Sequence, residues 1–113
     1  MELEETLKET ENGISMYELG LYYHNIKDYD NMKKYYLMAI ENNNDSAMFK
    51  LGRYYDDIED YVNMLKYYNM VILHGSSDFK SRAMNNMGLY YKNIMKDYDS
   101  MEKIFSYGNR TWK

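Results

Sequence analysis

Apolar residues recur along this chain at intervals of three and four, in three blocks that align with one another. The first block, MYELGLYYHNIKDYDNMKKYYLMAI, starts at Met16 and the second, MFKLGRYYDDIEDYVNMLKYYNMVI, starts 32 residues on at Met48. The third, MNNMGLYYKNIMKDYDSMEKIFSYG, starts 36 residues later at Met84, because GSSDFKSR lengthens the connection before it, and carries one extra residue near Met95. In the first half of each block the apolar positions are Met16, Leu19, Tyr23 and Ile26; Met48, Leu51, Tyr55 and Ile58; and Met84, Met87, Tyr91 and Ile94. Spacings of 3, 4 and 3 place each set on one face of an α-helix. The second halves repeat that spacing with Tyr29, Met32, Tyr36 and Ala39, with Tyr61, Met64, Tyr68 and Val71, and with Tyr98, Met101, Phe105 and Gly108. Six principal helices are predicted, two per block, with a short additional helix over Glu2–Glu9.

Local signals agree with the periodicity. Asp28, Asp60 and Asp97 stand just before the second stripes, where a carboxylate accepts from free helix N–H groups and complements the dipole. Asn43 and Gly75 follow those stripes, where helices commonly end in a left-handed residue. Gly20, Gly52 and Gly88 sit inside the first helices at a cost of about 1 kcal/mol each relative to alanine. A glycine repeated at that cost predicts a close helix approach, with the hole filled by Met32, Met64 or Met101, whose side chains bend to fit. A phosphate-binding loop would need clustered glycines.

The spacing of Met16, Leu19-Gly20, Tyr23, Met32, Tyr36 and Ala39 resembles the tetratricopeptide signature of an apolar residue, Leu-Gly, Tyr, Ala, an aromatic and Ala. The stretch YYLMAIENNNDSAMFKLG (Tyr35–Gly52) is similar to the unit junctions of the Sel-like subclass, and the Asn- and Tyr-rich wording resembles repeat proteins of giant DNA viruses of amoebae. The resemblance covers roughly residues 11–108. It departs from the family where methionine replaces a small residue at positions 32, 64 and 101, and where Asn44 stands at a common proline position. The resemblance implies an all-α, right-handed α-solenoid of three antiparallel helix pairs. Its expected divisions are a cap at 1–12 and repeats at 13–44, 45–80 and 81–113.

Composition narrows the function. Fifteen tyrosines and eleven methionines supply a core in spite of a low mean hydropathy, and a disordered chain would lack them. A net charge of −4 disfavours wholesale phosphate binding, and the absence of cysteine excludes disulfides and thiolate metal sites. The start, MELEETLKETE, lacks the basic and apolar regions of a secretory signal, and no apolar run approaches the ~20 residues that span a bilayer. A soluble cytoplasmic protein is the expectation.

Catalytic chemistry is hard to find. His24 and His74 lie far apart, and neither has a partner at metal-ligand spacing. The acidic string Asp56, Asp57, Glu59 and Asp60 lacks the glycine and terminal glutamate of a calcium loop. No serine or threonine is set beside a histidine as a nucleophile. The expectation is therefore no enzyme and no cofactor.

In the repeat class that the chain resembles, the first helices line a concave groove. By family position its wall comprises Tyr17, Leu21 and His24, then Phe49, Lys50, Arg53 and Asp56, then Arg82, Asn85, Leu89, Lys92 and Asn93. Lys50, Arg53, Arg82 and Lys92 are expected to form a basic strip that suits an acidic or carboxylate-bearing peptide, with Phe49 and Tyr17 as apolar anchors. The lysine-and-arginine carboxylate clamp of some tetratricopeptide domains is not matched. The leading expectation is a scaffold that holds another protein, with neither nucleic acid nor membrane as partner. Its main rival is a structural unit that stacks on copies of itself, with a nucleic-acid reader as a weaker one. The chain stops at Lys113 soon after the third block, so Tyr90, Ile94, Ile104 and Tyr107 are expected to leave an apolar flank for self-association, reported by Trp112.

Overall fold

The computed structural model describes residues 13–111, with side chains from 16 to 106. Glu2–Glu9 and Trp112 lie outside the described residues, as does the side chain of Tyr107. The described chain is all helical: α1 (Gly13–Asn25), α2 (Tyr29–Glu41), α3 (Asp45–Asp57), α4 (Tyr61–His74), α5 (Ser77–Asn93) and α6 (Tyr98–Thr111). Consecutive helices pack as pairs, α1 on α2, α3 on α4 and α5 on α6. Contacts of α2 with α3, and of α5 with both α3 and α4, join one pair to the next. Connections this short require the second helix of each pair to double back on the first.

The turn inside each pair is built the same way. Asp28 accepts the Asn31 backbone N–H at 3.3 Å and its side-chain amide at 2.7 Å. Asp60 and Asn63 repeat this at 3.3 and 2.8 Å, and Asp97 and Ser100 at 3.1 and 2.7 Å. Before each aspartate a left-handed residue reverses the chain, Lys27 (φ 62°), Glu59 (φ 61°) and Lys96 (φ 53°). The Asp28 N–H donates to the Tyr23 carbonyl and the Asp60 N–H to the Tyr55 carbonyl, both at 2.9 Å. In the third pair the Asp97 N–H reaches back one residue further, to Tyr91 at 2.7 Å, which takes up the extra residue near Met95.

Two local expectations need correction. Asn43 is left-handed (φ 61°), but Gly75 is not (φ −83°). Glycine is required there because a Cβ would stand 2.7 Å from the Val71 carbonyl oxygen. GSSDFKSR is not a long connection either. After Gly75 and Ser76 it is already the start of α5, and the Ser76 N–H donates to the Asp45 carboxylate at 2.8 Å, tying this corner to the start of α3.

The stripes place Met16, Leu19, Tyr23, Met32, Tyr36 and Ala39 in one core cluster and Met48, Met64, Tyr68, Val71 and Met87 in the next. Ile26, Ile58 and Ile94, the last positions of the first stripes, are instead more than half exposed in the turns. Tyr35 and Tyr67, off the stripes, are buried and stack on Tyr23 and Tyr55 at 5.5 and 5.7 Å, nearly parallel. All three alanines of the chain, Ala39, Ala47 and Ala83, are fully buried. Ala47 lies in the core of the preceding pair and Ala83 in the core shared with α3 and α4, so small residues mark where successive pairs meet.

The repeated glycines do mark close approach, but an aromatic ring fills the hole rather than methionine. A Cβ on Gly20 would strike the ring of Tyr36, one on Gly52 would lie 2.5 Å from Cδ1 and Cε1 of Tyr68, and one on Gly88 would strike Phe105. Met32 and Met64 are fully buried elsewhere in the same cores.

Candidate functional site

The helices α1, α3 and α5 carry the residues expected to meet a partner, and burial sorts them. Phe49 is buried, with its ring 5.8 Å from Tyr68 and 5.4 Å from Phe79, so it belongs to the core and does not project as an anchor. Tyr17 is half-buried and stacks on Tyr36 at 5.8 Å. Leu21 packs partly against the first core, and the His24 ring sits 6.1 Å from that of Tyr29. Lys50 and Asp56 are half-buried, while Arg53, Asn85, Lys92 and Asn93 are exposed and Leu89 is 42% exposed. Arg82 is engaged on its own helix, 3.3 Å from Asp78 and over the ring of Phe79, so the basic strip loses one of its four members. Of the residues assigned to self-association, Tyr90 and Ile104 are half-buried and Ile94 is exposed.

Part of this set converges on one cleft, of about 190 Å³, where α3, α4 and α5 meet. Asp56 lines it from the last turn of α3 and Tyr61 from the first turn of α4. Asn86, Leu89, Tyr90, Asn93 and Ile94 line it along α5. The Tyr61 and Tyr90 rings are 4.8 Å apart. Asp56, Leu89 and Asn93 were expected on this face, and Tyr90 and Ile94 were expected on the flank. Tyr61 was missed because it had been counted as a core stripe position, and Asn86 because a polar residue has no periodic signal.

The polar groups here are unevenly satisfied. Among the described residues no hydrogen bond or ion pair joins the Asp56 carboxylate. Burial pushes its pKa above the usual carboxylate value, the neighbouring charge of Asp57 adds to that, and Arg53 opposes it in part. Asn86 donates to the Tyr68 hydroxyl at 3.0 Å, and burial holds that phenol up at about 12 even though this hydrogen bond lowers it.

The junction between the first and second pairs is the same construction with different chemistry. Tyr29 and Tyr54 pair at 5.3 Å in place of Tyr61 and Tyr90. Repeat register puts His24 where the second junction has Asp56, Arg53 where it has Leu89, and Lys50 where it has Asn86. The Tyr36 hydroxyl, counterpart of the Tyr68 hydroxyl, is buried without a hydrogen-bond partner.

That difference gives a paired prediction. Asn86→Leu strands the Tyr68 hydroxyl and destabilises by about 1–3 kcal/mol. Lys50→Asn supplies Tyr36 with a donor from the matching position and stabilises by about 0.5–1.5 kcal/mol. Urea unfolding followed by circular dichroism measures both, and a Lys50→Asn variant less stable than the parent would refute the equivalence.

No match identifies the chain. No family model fits it, and neither a curated protein nor a solved structure matches it. Among the described residues no group of three His, Asp or Glu side chains is placed to hold a metal ion, and no helix is long and apolar enough to cross a membrane.

Proposed function

We propose that this chain is a protein-interaction scaffold, a right-handed solenoid of the tetratricopeptide and Sel-like type, which holds a segment of a partner protein across the face formed by α1, α3 and α5. The observation that carries the reading is the cleft at the second junction, where an unpaired carboxylate, paired aromatic rings and exposed Leu89 and Ile94 meet between α3, α4 and α5. At about 190 Å³ it falls below the ~300–1,000 Å³ typical of small-molecule and cofactor sites, and is large enough for one side chain of a bound peptide. Extents of 50 × 28 × 17 Å and the pairwise order of packing fit units laid side by side, which present one long face to an extended segment.

Arg53 on α3 and Lys92 on α5 are exposed and stand close in sequence to the cleft residues Asp56, Tyr90 and Asn93, so acidic groups of a bound segment have cationic partners on these helices. Panning a displayed peptide library against the purified chain, then mapping the binders by amide chemical-shift perturbation, tests the proposal. Binders are expected to perturb α1, α3 and α5, and the Arg53→Glu, Lys92→Glu double variant should weaken them at least about tenfold with the helical signal intact. Binders that map to α2, α4 and α6, or that tolerate the double charge reversal, would sink it. Phe49→Ala is a poor probe, because it opens the core.

A further inference from the structure

We infer that the cleft at the junction of α3, α4 and α5 is the receptor for a single arginine side chain of the bound segment, which the Asp56 carboxylate pairs and the Tyr61 and Tyr90 rings flank. This rests on the scaffold reading and names the group that the scaffold grips. Charge inside the cleft is out of balance. The lining supplies the Asp56 carboxylate, the side-chain amides of Asn86 and Asn93 and the hydroxyls of Tyr61 and Tyr90, and no lysine, arginine or histidine. The amide nitrogen of Asn86 is already committed to Tyr68, which leaves its carbonyl oxygen as an acceptor.

Asp56 is the one carboxylate in that lining. It is half-buried, next to Asp57, and in the last turn of α3, where the helix dipole disfavours negative charge. Arg53, one turn earlier, is exposed and forms no ion pair with it. A carboxylate left unpaired under these conditions costs stability unless a cation arrives, and its raised pKa reports the same imbalance.

Shape selects among cations. A guanidinium is planar, offers donors in a fork that matches a carboxylate in bidentate fashion, and stacks on aromatic faces. Tyr61 and Tyr90, packed on each other as a tilted pair 4.8 Å apart, form an aromatic wall beside the acceptors against which a guanidinium stacks from the open side of the cleft. A lysine fits the charge and loses the fork and the stacking. The first junction is not a second copy of the site, because repeat register gives its aromatic pair His24, Lys50, Arg53 and Asp57 in place of Asp56, Asn86, Leu89 and Asn93, and the Lys33 ammonium already lies over the Tyr54 ring.

The test titrates the isotope-labelled full chain with N-acetyl-arginine methylamide, with its neutral isostere N-acetyl-citrulline methylamide and with N-acetyl-glutamate methylamide. The arginine probe is expected to shift the amide signals of Asp56, Tyr61, Leu89 and Asn93, and to bind at least about tenfold more tightly than the citrulline and glutamate probes. Asp56→Asn, which keeps the shape and removes the charge, is expected to abolish the preference for arginine over citrulline. That comparison within the parent chain needs no variant, so it stands even where a substitution perturbs the fold. Equal binding of arginine and citrulline, shifts located away from the cleft, no arginine binding at all, or an arginine preference that survives Asp56→Asn each overturns the proposal. Those results leave the scaffold reading standing if library peptides still map to α1, α3 and α5. If no library peptide maps there, that reading fails on its own account.

Discussion

Gly52→Ala destabilises this protein by up to about 2 kcal/mol, although alanine is the better helix former. The substitution gains about 1 kcal/mol of helix propensity in the middle of α3. Against that, the new Cβ arrives 2.5 Å from two carbons of the Tyr68 ring. This ring is not the end of a flexible side chain. It is fully buried, lies 5.8 Å from the Phe49 ring and is held at its hydroxyl by Asn86. Overpacking of such a site costs about 1–3 kcal/mol, more for Gly52→Leu, and outweighs the propensity gain. The same change behaves differently once the ring is gone. In a Tyr68→Leu background Gly52→Ala is expected to be neutral or to stabilise by up to about 1 kcal/mol. A urea double-mutant cycle measures the difference, and a stabilising Gly52→Ala in the parent would mean that the ring yields freely.

The second large effect is alkaline. A tyrosine in the unfolded chain ionises near pH 10, whereas Tyr68 keeps its proton to about 12, chiefly because it is buried. Burial raises Tyr36 further still, with the adjacent Tyr17 adding to it. Below pH 10 both states are neutral at these positions and stability is flat. Above it the unfolded state loses protons that the fold retains, so stability falls by about 1.4 kcal/mol per pH unit for each such tyrosine. Tyr68 alone removes about 2 kcal/mol by pH 12, and Tyr36, raised further, removes slightly more over the same range. A domain at the lower end of ordinary stability, about 5 kcal/mol, is brought close to unfolding by that sum. The helical signal is therefore expected to be lost in one cooperative step between pH 10 and 12, together with the share of the tyrosinate absorbance that the buried tyrosines contribute. A gradual titration of all the tyrosines near pH 10 with helices intact would contradict the burial of Tyr36 and Tyr68. Tyr68→Phe should move the step to higher pH.

The helices and their cores were legible because a 3-4-3 spacing repeated three times leaves few alternatives, and the aspartate caps confirmed where the second helices begin. The turns were less legible. Lys27, Glu59 and Lys96 hold left-handed conformations without being glycine or asparagine, so no local signal marks them. Phe49 was misplaced for a specific reason. A helix that packs against its own partner and against the next pair is buried on two faces, and a single stripe accounts for one. The second face of α3 is covered by Phe79, which stands in the early turns of α5, in the segment read as a connection. The cleft was half visible for the same cause. Asp56, Leu89 and Asn93 follow from their places on first helices, whereas Tyr61 and Asn86 enter only through the way α4 and α5 meet.

The turn of the third pair shows what this architecture tolerates. One residue added within a helix rotates everything beyond it by about 100° and would turn its buried face outward. Here the addition near Met95 is absorbed within the turn: the Met95 N–H bonds back to Tyr90, the closing bond spans one more residue, Asp97 still caps α6, and Phe105 still meets Gly88. The reverse turns are thus the places where such a chain can gain or lose length during its history without losing its fold. Differences in length between copies should collect there, while the lengths between cap and glycine partner stay fixed.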